Sequence, residues 1–216
     1  MKHFLTEWNI VIVGQWNPHI FSPKWMCEKL LEVKDVEAEF TIGPLGAGMR
    51  YMTAQLAIIP GPDRLIVGMR NALDDTLKEA ERITIKALSL LAHTPVRAGG
   101  INFAFTESNA SEVVLKAFQL SDNYVLANAG YSPSCTEIVR DIRLDHSLLK
   151  LKMVHSDKEP TKFHFNFHHD LESPTQATDL LRDKTVICRD FALSLLKNSY
   201  GLSLEEEDNG FENLPQ

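Results

Sequence analysis

Ile10-Val11-Ile12-Val13-Gly14 is a β-branched run closed by a turn residue, the pattern of a buried strand. Ser22-Pro23 follows as an N-cap with proline at the first helical position, and Met26, Leu30 and Val33 recur at helical spacing. Three alternating segments then predict strands. Val36–Ile42 places Val36, Ala38, Phe40 and Ile42 on one face, Tyr51–Ile59 places Met52, Ala54, Leu56 and Ile58 there, and Leu65–Met69 is the third. From Asn71 to about His93 a broad apolar face carrying Leu77, Ala80, Ile83 and Ala87 predicts a long helix, stopped by Thr94-Pro95. The same order returns in the second half. Ile101–Phe105 alternates as a strand, and Asn109 with Glu112 reads as an N-cap and its capping-box partner. Three strands follow near 137–144, 148–154 and 162–168, and Ser173-Pro174 opens the closing helical segment with Leu180, Ile187, Phe191 and Leu195.

Two β-α-β-β-β-α units are therefore expected, one at 1–95 and one at 96–203, followed by an acidic tail at 204–216. Ala87–Leu91 and Ala192–Leu196 are identical in equivalent helices, a faint trace of the repeat. One unit lacks the strands to hide its helices' apolar faces. Joining both into one curved antiparallel sheet with the helices on one face buries them together, giving an α+β fold. In element order this resembles the saddle of the TATA-binding-protein family, a likeness that implies no activity.

Charge and cysteine usage narrow the function classes. A net charge of −7 disfavours non-specific nucleic-acid binding as the main role, since that affinity comes from neutralised phosphates. Cys27, Cys135 and Cys188 are scattered and lack ligand spacing, so they read as reduced residues of a cytoplasmic protein. The N-terminal stretch is interrupted by Glu7 and no apolar run is long enough to span a bilayer, so no membrane association is expected.

No catalytic motif, metal set or cofactor signature stands out. His164 and His168, at i and i+4 on one strand, lie roughly 13 Å apart, too far to share a metal ion. Gly43–Gly48 sits between strands and lacks phosphate-loop spacing, so it reads as a hairpin. Trp16 and Asn17, between the first strand and helix, could line a pocket with Asn102 for a small ligand or an unrecognised enzyme reaction. The sheet face away from the helices is expected to carry Glu37, Glu39, Tyr51, Thr53 and Gln55 from the first unit. The second contributes Asp141, Arg143, Lys150, Lys152, Lys162, His164 and His168. One half then leans acidic and the other basic, a surface suited to a protein partner or a second copy. Arg143, Lys150, Lys152 and Lys162 also define a local patch for nucleic acid.

Asn17-Pro18-His19-Ile20-Phe21-Ser22-Pro23-Lys24-Trp25 and His93-Thr94-Pro95-Val96, the latter followed by Gly100-Ile101-Asn102, resemble two recurring stretches of an uncharacterised bacterial protein family. The resemblance implies a bacterial, cytosolic protein and nothing catalytic. The expectation is a non-enzymatic binding or assembly module that uses its open sheet face or strand edges.

Overall fold

The structure is a computed structural model that describes residues 1–43, 46–144 and 147–205. The centre of the Gly43–Gly48 hairpin and the acidic tail beyond Glu205 lie outside the described residues. The first half comprises β1 (Lys2–His3), β2 (Asn9–Gly14), α1 (Pro23–Trp25) running into a π-helical turn (Met26–Leu31), β3 (Glu37–Gly43), β4 (Gly46–Met52), β5 (Leu56–Pro60), β6 (Arg64–Met69) and α2 (Asp74–Leu90). The second comprises β7 (Val96–Glu107), α3 (Glu112–Ala117), α4 (Asn123–Asn128), β8 (Cys135–Leu144), β9 (Ser147–Ser156), β10 (Thr161–Asp170), α5 (Pro174–Leu181) and α6 (Thr185–Tyr200). The fold is α+β.

Among the described residues ten strands form one open antiparallel sheet in the order β3-β4-β5-β6-β2-β7-β10-β9-β8, with β1 pairing the far end of β7. Pairing of β2 with β7 joins the two halves. Alternation decides the faces. Ile10, Ile12, Leu65, Val67, Phe103, Phe105, Phe163, Phe165 and Phe167 are all buried on one side, with α2 over β2 and β6 and with α6 on β7. Each such side chain contributes about 1.5–3 kcal/mol by leaving water.

Several elements differ from the sequence expectation. The segment Tyr51–Ile59 is two strands, because Thr53 turns the chain: its Oγ1 accepts the N–H groups of Gln55 (3.3 Å) and Leu56 (2.9 Å). Four strands therefore follow the first helix, and Gln55 sits in the turn. The expected phase is wrong for Tyr51, which is fully buried on the helix side and donates its hydroxyl to the Phe21 carbonyl. That burial pushes its phenol above the ordinary value.

In the second half two short helices replace one, and the N-cap is Ser111, whose Oγ accepts the Val114 N–H; the Asn109 N–H goes to Glu107 instead. The closing segment is likewise two helices, α5 and α6. Both Ser-Pro starts cap as expected, with Ser22 Oγ accepting from Trp25 and Ser173 Oγ from Gln176.

Candidate functional site: the open sheet face

Antiparallel partners project to the same side, so the register traces the face away from the helices row by row. One row crosses nine strands: Glu37, Met52, Ala57, Gly68, Asn9, Asn102, Asn166, Lys150 and Asp141. The next rows bring Ile59, Ile66 and Val11 beside Gly100 and His168, and Ala104 beside His164, Lys152 and Val139. The face thus divides differently from the expected acidic and basic halves. Glu37 and Glu39 do lie on it, at the β3 edge, but partly exposed Val11, Val13, Ile59 and Ile66 form an aliphatic strip between them and a polar half.

The polar half is hydrogen-bonded in a chain. Asn166 Nδ2 donates to Asn102 Oδ1 (2.5 Å), Asn102 Nδ2 to Asn9 Oδ1 (2.8 Å), and Asn9 Nδ2 to the Glu7 carbonyl (3.2 Å). The Glu7 carboxylate returns to His164 Nδ1 at 2.7 Å. Glu7 belongs to a 3-10 turn, Leu5–Glu7, that links β1 to β2 and brings its side chain over this face. A carboxylate only accepts, so Nδ1 carries the proton of this bond and Nε2 is the ring nitrogen not engaged by Glu7.

Small side chains keep the floor low. A Cβ on Gly100 would stand 2.8 Å from Asn166 Nδ2 and push the amide row apart. The result is a concavity of about 580 Å³ lined by Glu7, Asn9, Asn102, Asn166, His164, Lys150, Lys152 and Val139 among others. Its size is that of a small-ligand site or of a seat for a few side chains. It offers a ring nitrogen at His164 Nε2, an amide oxygen at Asn166 and a cation at Lys150.

Of the residues singled out in the sequence, Asn102, Lys150, Lys152 and His164 meet in this concavity. His168 lies one row away, 3.3 Å from Asp170, and Arg143 is at the β8 end of the same row. Trp16 and Asn17 do not join them. Trp16 is buried, donates to the Ile12 carbonyl (3.0 Å) and faces Phe21, while exposed Asn17 caps the turn Pro18–Ile20 through the His19 N–H. Asn102 pairs with Asn9, at the opposite end of β2 from Trp16 and roughly 20 Å away at ~3.3 Å per residue. No pocket can unite Trp16 with Asn102. Buried Tyr51 and turn residue Gln55 also leave the site.

Two of the four cations of the basic patch are tied down by carboxylates. Lys152 Nζ lies 2.9 Å from Glu137, and Lys162 lies 2.7 Å from Glu159, whose carboxyl it holds below the usual range. Among the described residues Lys150 and Arg143 form no ion pair, and Lys150 faces Asp141 across the strand pair. Phosphate neutralisation needs free cations, so of the four residues of the expected nucleic-acid patch Lys150 and Arg143 are the two left to meet a polyanion.

None of the three cysteines is bridged. Cys188 lies apart from the site on α6, where burial pushes its thiol up to about 12. Thiolate is the reactive form. Thiol reagents at pH 8 are expected to label exposed Cys135 in the folded protein and Cys188 only after urea unfolding; rapid native labelling of Cys188 in peptide mass mapping would contradict this. No helix among the described residues is long and apolar enough to cross a membrane.

The features that the sequence reading missed are Glu7, Asn9 and Asn166, together with the aliphatic strip. The strip had a signal, since Ile10–Val13 and Leu65–Val67 are apolar at successive positions where a half-exposed strand would alternate. The stretches Asn17–Trp25 and His93–Asn102 form the approach to the first helix and the junction of α2 with β7. Neither the known protein-family models nor the curated proteins compared with this chain give a match.

Proposed function

We propose that this chain is a non-enzymatic binding module, cytosolic and built from two related halves in a saddle-like sheet, whose open face contacts a protein partner. The observation that carries this reading is the open face itself, half aliphatic and half a continuous hydrogen-bonded chain from Asn166 to His164. Water alone would satisfy exposed amides with no such ordering, and ordering side chains costs entropy; a face already organised binds with less to lose. An aliphatic strip rimmed by polar groups is also what partner surfaces present. The strand order supports the duplication. From the β2·β7 junction it runs β6-β5-β4-β3 one way and β10-β9-β8 the other, so each half counts backward from its own last strand.

Site-specific photo-crosslinking in the native host tests the reading. A photoreactive phenylalanine analogue in place of Lys150, on the open face, is expected to give protein adducts; one in place of exposed Lys78, on α2, is not. No adduct at Lys150, or equal yields at both positions, would refute it.

A further inference from the structure

Among the described residues the outer edge of β8 has no partner. This strand is ten residues long, holds regular register with β9 throughout, contains no proline or glycine, and ends the sheet. Protected edges are short, bulged or proline-bearing, whereas a long regular edge is a template for another strand. Val139, at its middle, is 59% exposed although it lines the concavity, which has no wall beyond it. We propose that β8 pairs antiparallel with β8 of a second copy about a two-fold axis at Arg140, joining two sheets into one and supplying the missing wall. The proposal deepens the binding reading by naming one partner as the chain itself.

The register follows from parity and charge. Glu137, Val139, Asp141 and Arg143 project to the open face, and Ile138, Arg140 and Ile142 to the helix side. Paired residues must share a face, so only every second register is allowed. A two-fold at Arg140 sets Glu137 opposite Arg143 of the second copy, twice by symmetry, and Ile138 opposite Ile142, also twice. Moving the axis to Val139 opposes Glu137 with Asp141, and moving it to Asp141 opposes that residue with itself. An axis at Ile142 opposes Asp141 with Arg143 but pairs only half of the strand, residues 140–144; among axes that pair more than half of it, the one at Arg140 alone matches both charge and apolarity. The Arg140 pair itself is tolerable, because Nη1 is turned back onto the hydroxyl of Tyr200 (3.0 Å) on α6. On the open face the same register places Asp141 of the second copy beside Val139. The concavity thereby gains a carboxylate on its open side.

Sedimentation velocity over a concentration series, on the full chain, is the test. A reversible dimer is expected, weakened at least tenfold by Glu137→Arg or by Arg143→Glu and restored when both are combined. In a Cys135→Ser background, Arg140→Cys is expected to form a disulfide-linked dimer under mild oxidation, since directly opposed strand residues have the required spacing, and Glu137→Cys is not. A monomeric wild type, or a dimer indifferent to the charge exchange and cross-linked equally from both positions, would overturn the proposal. Loss of the dimer with Lys150 adducts to another protein intact would leave the binding reading standing. Lys150 adducts absent from a confirmed dimer would separate the two the other way.

Discussion

Glu81→Ala is expected to lower the unfolding free energy by about 3–4 kcal/mol, because it removes the shared acceptor of four donors, of which only the Lys184 N–H keeps a second acceptor, the Leu181 carbonyl at 3.0 Å. Glu81 lies on the buried side of α2. Its carboxylate accepts the backbone N–H groups of Asp183 (2.6 Å), Lys184 (3.0 Å) and Thr185 (3.0 Å), and the Thr185 hydroxyl (2.8 Å). These are the orphan amides at the start of α6, whose own N-cap residue, Lys184, supplies no side-chain cap. A carboxylate from another helix does the capping, and negative charge there also suits the helix dipole. The same bonds hold Asp183 in the left-handed conformation at φ 58°. Glu81→Gln keeps one acceptor oxygen but turns an amide donor toward backbone donors, so roughly half of the loss is expected. Urea unfolding with unchanged m-values checks both; a loss for Glu81→Ala below about 1 kcal/mol would mean that water replaces the carboxylate.

This cap also marks where reading a sequence ends. Within α2, Glu81 interrupts an apolar stripe, and the periodicity that correctly places the helix says only that a charge faces the wrong way. Its partner lies about a hundred residues on, beyond any local pattern. Elements fixed by local periodicity were legible: β2, β9, β10, α2 and both Ser-Pro helix starts. So was the polar side of β10, because Phe163, Phe165 and Phe167 alternate without a break. Tyr51 was misplaced since Thr53 turns the chain with a hydroxyl where no Gly, Pro or Asn announces it. That unsignalled turn inverted the inferred phase of β4. The asparagine chain was invisible for a different reason. Asn9, Asn102 and Asn166 belong to three strands, and only the register of β2, β7 and β10 puts them side by side. Sites made across strands become readable when pairing is known.

Trp8→Ala is expected to cost about 3–5 kcal/mol and to dismantle the site with the core. Trp8 is fully buried, with its ring edge-on to Phe103 (4.8 Å) and Phe105 (5.6 Å), and its Nε1 donates to the Ala104 carbonyl at 2.7 Å. Aromatic edge contacts add about 0.5–1.5 kcal/mol each beyond burial. The backbone of Trp8 is equally committed, closing the 3-10 turn through Leu5 and accepting from Met69. Because Glu7 is the preceding residue, the anchor that fixes Trp8 in the core also fixes the carboxylate over His164 on the other face. Trp8→Phe retains most of the packing and loses the Nε1 bond, so a loss of about 1–2 kcal/mol is expected, with Glu7 still held. The imidazole reports the difference. Nitrogen-15 NMR of the wild type and of Trp8→Phe is expected to show His164 protonated at Nδ1, the form that the Glu7 carboxylate selects, whereas Trp8→Ala, where still folded, is expected to lose that selection. An unchanged Nδ1 tautomer in Trp8→Ala would mean that Glu7 is placed by its own turn, and that core and open face are independent.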